Sequence, residues 1–148
     1  MAGIRFNTQD ITFKLKHPRL VSKWLETIAR KERAGFESLT YIFCSDDFLL
    51  AINKSHLNHD DLTDIITFDL TDPGKSRRQM EAEIYISIPR VKENSALFKV
   101  PFETELHRVM VHGVLHLCGY GDKAALERAL MREKEDASLS LRRFHVEH

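Results

Sequence analysis

The sequence has few of the residues that mark unusual protein classes. Only two of its 148 residues are cysteine, and Cys44 and Cys118 each lie in an apolar stretch, so a disulfide framework is not indicated. Six glycines, four prolines and 43% apolar residues exclude a collagen-like or disordered chain. The length predicts one domain that spans residues 1–148.

Neither sign of charge predominates in the chain. Lys and Arg total 22, as do Asp and Glu, so any nucleic-acid-binding surface must be a local basic patch. No apolar run approaches the ~20 residues that cross a bilayer, and the N-terminus lacks the basic-then-apolar pattern of a signal peptide. We therefore expect a cytoplasmic protein that has no contact with a membrane.

Hydrophobic periodicity predicts alternating strands and helices. The strand patterns cover residues 11–15, 39–44, 64–70 and 81–88. The helical patterns run from Pro18 to near Gly35, after Ser45 or Asp46, after Pro89, from Phe102 to Leu117, and after Asp122. Residues 56–62 are polar and turn-like, and the last two strands are joined by a loop at 71–80. These patterns predict an α+β fold with a small mixed β-sheet of about four strands covered by helices.

The segment Val111–Asp122, VHGVLHLCGYGD, has the clearest chemistry. His112 and His116 are four residues apart, so they share one face of a helix with Cβ atoms roughly 5–6 Å apart. Two imidazoles at this spacing can both reach one metal ion at ~2.0–2.1 Å. Gly119 would end the helix, and Asp122 could then supply a carboxylate and leave a fourth position open for water. We therefore predict a zincin-like metal site on a helix and the following turn, with His112, His116 and Asp122 as ligands.

Each of these residues also has a purely structural interpretation. Two histidines on a helix can be ordinary residues, and Asp122 directly precedes the last helix, where it would make a good N-cap. A glycine inside a helix costs ~1 kcal/mol relative to alanine, so Gly113 indicates close backbone packing or substrate approach. The other histidines carry less weight, because His56 and His59 lie in the polar segment and His107 lies on a different helix face.

The same pattern is similar to that of the metzincin proteases, which also have two helical histidines, a glycine turn and a third ligand. Those proteases carry a glutamate directly after the first histidine, where it acts as the general base. This chain has Gly113 at that position. Peptide hydrolysis is therefore the weaker interpretation.

Three stretches resemble the YbeY family of bacterial endoribonucleases and ribosomal RNA maturation factors. His112–Tyr120, HGVLHLCGY, closely resembles the family signature HGxLHLxGYDH. Thr63–Phe68, TDIITF, is similar to the family's TDVLSF strand, and Glu83–Ser87, EIYIS, is similar to its GDIxIS strand. The stretches occur in the family's order and at similar spacing, and the resemblance covers roughly residues 46–135.

The resemblance implies a zinc-dependent endoribonuclease with one Zn²⁺ per chain. It implies processing of the 3′ end of small-subunit ribosomal RNA and a part in ribosome quality control. The implied partners are ribosomal RNA, the small ribosomal subunit and ribosome-associated proteins. The family's three histidine ligands fall on His112, His116 and Asp122. Zinc accepts a carboxylate oxygen at ~2.0–2.2 Å, but the harder donor makes the identity of the metal less certain.

A second departure from the family lies in residues 56–61. Family members commonly have an arginine there, and the matching position in this chain is Leu57. Another cation would then have to contact phosphate. The candidates are Arg77, Arg78, Arg90, Lys92, Lys99 and Arg108. The sequence identifies no catalytic acid or base, and Glu105 is only a suggestion for the proton donor.

The sequence leaves three functions open. They are a metal-dependent endoribonuclease, a metallohydrolase of another substrate class such as peptides, and a ribosome-associated RNA-binding factor with a structural metal. For the first, either activated water or the RNA 2′-hydroxyl could attack the phosphodiester. We expect an affinity for RNA that falls with salt, and a cleft better suited to single-stranded ends than to duplex.

Overall fold

A computed structural model describes residues 3–57 and 63–144 of the chain. The elements in chain order are β1 (Ile4–Gln9), α1 (Pro18–Lys31), β2 (Phe36–Cys44), α2 (Asp46–Leu57), β3 (Ile65–Asp69), β4 (Met80–Ser87), α3 (Ile88–Phe98), α4 (Phe102–Leu117) and α5 (Ala125–Leu139). No helix in these two ranges is long and apolar enough to span a bilayer.

The described strands form one mixed sheet in the order β1-β2-β4-β3. β1 and β4 pair with β2 in parallel, and β3 pairs with β4 in antiparallel orientation at the edge of the sheet. The antiparallel pair is joined by the predicted loop, whereas the parallel strands need helical crossovers. The prediction of an α+β fold with about four strands is confirmed.

Helix α4 is the central helix of the fold and contacts α1, α3, α5, β3 and β4. Most of its apolar side chains are buried, and each fully buried leucine, methionine or valine contributes about 1.5–3 kcal/mol. The Tyr41 hydroxyl donates to the Met110 carbonyl oxygen over 2.7 Å and ties β2 to α4. A Cβ atom on Gly113 would lie 2.7 Å from Cδ1 of Ile84, so the helix backbone lies directly on β4. Close backbone packing therefore explains Gly113.

The strand predicted at residues 11–15 is wrong. The first strand is β1, and residues 11–15 lie outside the strands, although Leu15 is buried and Ile11 and Phe13 pack against the core. Their alternation therefore reflects inward-facing side chains without strand pairing. The change of direction occurs at Asp10, which has a positive φ of 55° and whose carboxylate accepts hydrogen bonds from Ser45.

Most other predicted boundaries agree with the structure. Helix α4 has the predicted bounds, and Ser45 caps α2 because its hydroxyl accepts the N–H of Phe48 over 3.0 Å. The predicted turn at 56–62 is wrong at its start, since α2 continues to Leu57. Its remaining part, with His59, lies outside the described residues, as do the side chains of His56 and Leu57.

Substitution of Gly119 by alanine should destabilise the fold. Gly119 has φ of +110°, and a left-handed backbone costs an L-residue roughly 1–2 kcal/mol. We expect Gly119→Ala to lower the free energy of unfolding by about that amount in urea titrations. Gly74→Ala is the matched control, because a Cβ there would meet nothing within 4 Å. Equal stability of the two variants would contradict this account of the turn.

The buried histidine of α4 should make stability depend on pH. His107 packs on Trp24, its Nδ1 accepts a hydrogen bond from Arg142 over 2.9 Å, and burial with the nearby positive charge lowers its pKa to about 3. The unfolded histidine binds a proton near pH 6.5, so acid favours the unfolded state. We expect stability to fall as the pH drops from about 6.5 towards 3. Urea titrations across this range should show a weaker dependence for His107→Phe, and an unchanged one would refute the assignment.

Candidate active site at the end of helix α4

The candidate site forms where α4 ends and the chain turns back. Gly119 has the left-handed backbone common just after a helix, and no L-residue would adopt it as readily. The N–H of Tyr120 donates to the carbonyl oxygen of Leu115 over 3.1 Å and closes the turn. As a result, Asp122 lies beside His112, ten residues earlier in the chain.

The imidazole of His112 lies between two carboxylates. Its Nδ1 is 2.7 Å from Oε2 of Glu135 on α5, and its Nε2 is 3.1 Å from Oδ2 of Asp122. Glu135 is buried, and its other oxygen accepts a hydrogen bond from Arg108 Nη1 over 3.2 Å. Glu135 therefore fixes the orientation of the imidazole and directs Nε2 towards Asp122.

Buried carboxylates dominate the electrostatics of this region. Burial by itself would lower the pKa of His112, but the hydrogen bond to Glu135 and the negative charges of Glu135, Asp122 and Asp64 raise it. Burial raises the pKa of Asp64 and that of Glu105, in each case against the opposing effect of nearby positive charge. The site therefore favours a cation near these carboxylates.

His116 lies one helical turn beyond His112 and is exposed. Its Nδ1 is 3.2 Å from the carbonyl oxygen of Tyr120. Because a carbonyl oxygen can only accept, Nδ1 carries the hydrogen of this bond, and in the neutral imidazole Nε2 then has the lone pair. Both histidines thus have Nδ1 bound to a protein oxygen, an arrangement that metal-ligating histidines almost always show.

The donor chemistry fits a metal ion, but only two of the three predicted ligands lie together. Across residues 3–57 and 63–144, no three His, Cys, Asp or Glu side chains converge closely enough to hold a metal ion. Nε2 of His112 and Oδ2 of Asp122 are in contact, and a nitrogen with a carboxylate oxygen suits zinc. The imidazole of His116 binds the turn instead of joining this pair.

The N-terminus of α5 is capped by a residue other than Asp122. Oε1 of Glu127 accepts the N–H of Ala124 over 3.0 Å and that of Lys123 over 3.3 Å. The side chain of Asp122 contacts His112 instead. The structural alternative for Asp122, a helix cap, is therefore wrong. Alanine at the N-cap position hid the true boundary from sequence analysis, since it has no capping oxygen.

A cleft of about 330 Å³ opens beside His112. Its wall includes Asp122, Glu135, Glu105 and Asp64. Helix α5 adds Arg128 and Arg132 to the same wall, and α4 adds Arg108. Helix α3 adds Asn94 and Phe98. The cleft therefore has an acidic part at the histidine and guanidinium groups beside it.

Sequence analysis missed Glu135 and the arginines of α5. Glu135 is 23 residues from His112, and motif spacing does not report such a contact. One signal was present: Glu135 lies on the same helical stripe as Met131 and Leu139, both of which are buried. A carboxylate in an apolar stripe indicates a buried partner of opposite charge.

Of the six candidate cations, only Arg108 lines the cleft. Arg77 donates to the carbonyl oxygens of Glu32 and Cys118, and Arg90 pairs with Asp46 over 3.0 Å. These two have structural roles. The other three are exposed on the surface; they are Arg78, Lys92 and Lys99.

Comparisons with known proteins agree with the fold and the motif. The family model described as Endoribonuclease YbeY matches residues 4–142. The chain belongs to this family. A relative named Endoribonuclease YbeY from Cytophaga hutchinsonii is 48% identical over 141 residues, covering 95% of this chain and 96% of the relative. Another of that name, from Flavobacterium psychrophilum, is 47% identical over 143 residues and covers 97% of each chain.

A solved structure has the same fold. The solution structure of TM1509 from Thermotoga maritima is 29% identical in sequence and has a TM-score of 0.62. The similarity covers 93% of this chain and 87% of that one. The resemblance to the YbeY family is thereby confirmed over nearly the whole chain, beyond the span of the three motifs.

Loss of the negative charge on Glu135 should weaken metal binding. Replacing the partner of a metal-binding histidine typically costs 10–100-fold in metal affinity. We expect a loss of about 10–100-fold for Glu135→Gln, measured by chelator competition, because the amide is the poorer acceptor for Nδ1 of His112. Glu133→Gln, on an exposed position of the same helix, is the control. Equal affinities would show that Glu135 does not orient the metal-binding group.

Proposed function

We propose that this protein is a metal-dependent endoribonuclease that acts on ribosomal RNA. The observation that carries the proposal is the imidazole of His112, held by a buried glutamate with Nε2 facing a carboxylate in an open cleft. Relatives named Endoribonuclease YbeY match nearly the full chain, which supports RNA as the substrate. The substrate within this class is the 3′ region of the small-subunit RNA, with the small subunit and ribosome-associated proteins as partners.

The proposed metal is zinc, with His112, His116 and Asp122 as ligands. Nitrogen and carboxylate oxygen donors both suit zinc, and in both histidines Nδ1 is bound to a protein oxygen, which leaves Nε2 for the ion. The proposal requires the side chain of His116 to approach the pair formed by His112 and Asp122 when the ion binds, because among the described residues no three such side chains converge as they stand. Once bound, the ion would supply a Lewis acid for phosphodiester cleavage.

The protein's own groups have separate tasks. Glu135 holds the tautomer and orientation of His112 through the 2.7 Å contact between Oε2 and Nδ1. Glu105 lines the same cleft, and burial raises its pKa, so it keeps a proton to a higher pH than an exposed glutamate does. We assign Glu105 the donation of a proton to the leaving oxygen of the cleaved bond.

Packing at Gly113 argues against a peptidase. The metzincin proteases have their general base at the position directly after the first histidine. In this chain a Cβ at that position would lie 2.7 Å from Ile84 and 3.2 Å from Ile65. The position therefore faces the sheet, and a glutamate there would not reach the cleft beside His112.

Metal content and RNA cleavage should fall together when a ligand is removed. We expect purified wild-type protein to contain about one zinc ion per chain by plasma mass spectrometry and to cleave a small-subunit RNA precursor. His112→Ala, His116→Ala and Asp122→Ala should lose the ion and at least 100-fold in cleavage rate, a loss on the order of that for a removed electrostatic stabiliser.

The control for this experiment is Asp72→Ala, an exposed aspartate in the loop between β3 and β4. It should keep both metal and activity. If Asp122→Ala keeps its metal, the aspartate is not a ligand. If wild-type protein contains metal and leaves RNA intact, the alternative of an RNA-binding factor with a structural metal replaces the nuclease.

A further inference from the structure

The cleft contains an aromatic ring and two guanidinium groups that the proposed reaction does not use. Phe98, at the C-terminal end of α3, is 53% exposed and lines the cleft. Arg128 and Arg132 line it from α5. Together they place an apolar surface and two positive charges beside the acidic part of the site at His112.

The two arginines of α5 are available to bind an anion, whereas Arg108 is not. Arg108 is largely buried and its Nη1 lies 3.2 Å from Glu135 and 2.8 Å from Asp136. The side chain of Arg132 is 58% exposed, and its contact with Glu135 is 3.9 Å long. Such an exposed pair is weak because solvent screens it.

Arg128 and Arg132 are four residues apart, so they share one face of α5. One nitrogen of Arg128 donates to the carbonyl oxygen of Lys123, and a guanidinium has five N–H donors in all. The planar fork of arginine matches the oxygens of a phosphate. This face of α5 therefore suits the backbone of a nucleic acid that passes along the cleft.

Phe98 differs from the exposed apolar residue beside it. Leu97 is 73% exposed, but it is not part of the wall of the cleft, and scattered residues of this kind are normal on protein surfaces. The ring of Phe98 forms part of a wall that otherwise consists largely of charged and polar groups. An exposed ring and guanidinium groups in the wall of one cleft are the combination that single-strand-binding proteins use for a base and its phosphates.

We propose that the cleft binds an unpaired nucleotide of the RNA, with its base stacked on Phe98 and the adjoining phosphates bound by Arg128 and Arg132. This inference rests on the proposed function, because it assigns the substrate subsite next to the cleaved bond. A base within a duplex is stacked on its neighbours and cannot lie on Phe98, so the ring acts on an unpaired base.

The test measures binding of a short fluorescein-labelled single-stranded RNA by anisotropy, across salt concentrations of about 50 to 200 mM. The variants are Phe98→Ala and the double variant Arg128→Ala with Arg132→Ala. Leu97→Ala is the matched control for the ring. Arg5→Ala, on the exposed edge strand β1 at the far side of the sheet from β3, is the control for loss of a positive charge. Thermal unfolding checks that each variant folds, and gels check that the RNA stays intact.

The two substitutions should have different signatures. Phe98→Ala should weaken binding about tenfold with an unchanged salt dependence, since one lost base stack corresponds to roughly that factor. Phe98→Trp should restore binding because it keeps an aromatic surface. The slope of log affinity against log salt is negative, and the double arginine variant should make it shallower by about 1.4, or 0.7 for each lost phosphate contact of a single strand.

The inference is overturned if Phe98→Ala binds like Leu97→Ala, if the double variant has the salt slope of Arg5→Ala, or if a duplex of the same sequence binds equally well. Cleavage of the RNA precursor by the same samples separates this result from the fate of the proposed function. Wild-type cleavage with normal binding by both variants removes the subsite and leaves the nuclease. Binding with the expected signatures but no wild-type cleavage removes the nuclease and supports the subsite.

Discussion

One buried carboxylate holds the candidate site together. Glu135 accepts hydrogen bonds from Arg108 and His112, which both belong to α4, so a single side chain of α5 is bonded to two positions of the central helix. A buried charge without such partners would be strongly destabilising. Docking of α5 and orientation of the imidazole are therefore one event, and the site exists only when the two helices are packed.

The same arrangement concentrates negative charge in a small volume. Glu105 and Glu135 are buried near His112 and Asp64 is partly buried, and burial raises the pKa values of Asp64 and Glu105. Such clusters cost stability, and they are typical of sites that bind or process a charged group. A positive charge between these carboxylates would relieve the repulsion, which is the physical reason to expect a cation as part of the working protein.

Local periodicity predicted most of the fold, because core-facing residues recur with the spacing of their own element. It failed at residues 11–15, where inward-facing side chains alternate without strand pairing. Motif spacing found His112 and Asp122, which are ten residues apart and meet because the chain turns back after α4. It could not find Glu135, Arg128 or Arg132, because their approach depends on how α5 packs. The single-domain and cytoplasmic assignments stay predictions, as do the metal ligands.

The loop between β3 and β4 also reaches the turn after α4. One nitrogen of Arg77 donates to the carbonyl oxygens of Glu32 and Cys118, at the ends of α1 and α4. Both acceptors are main-chain atoms, which every amino acid carries. Positions 32 and 118 can therefore change side chain without losing this brace, whereas position 77 must keep a long, forked donor. The contact between the distant loop and the turn therefore constrains the sequence at position 77, while the backbone of the turn itself constrains it at Gly119.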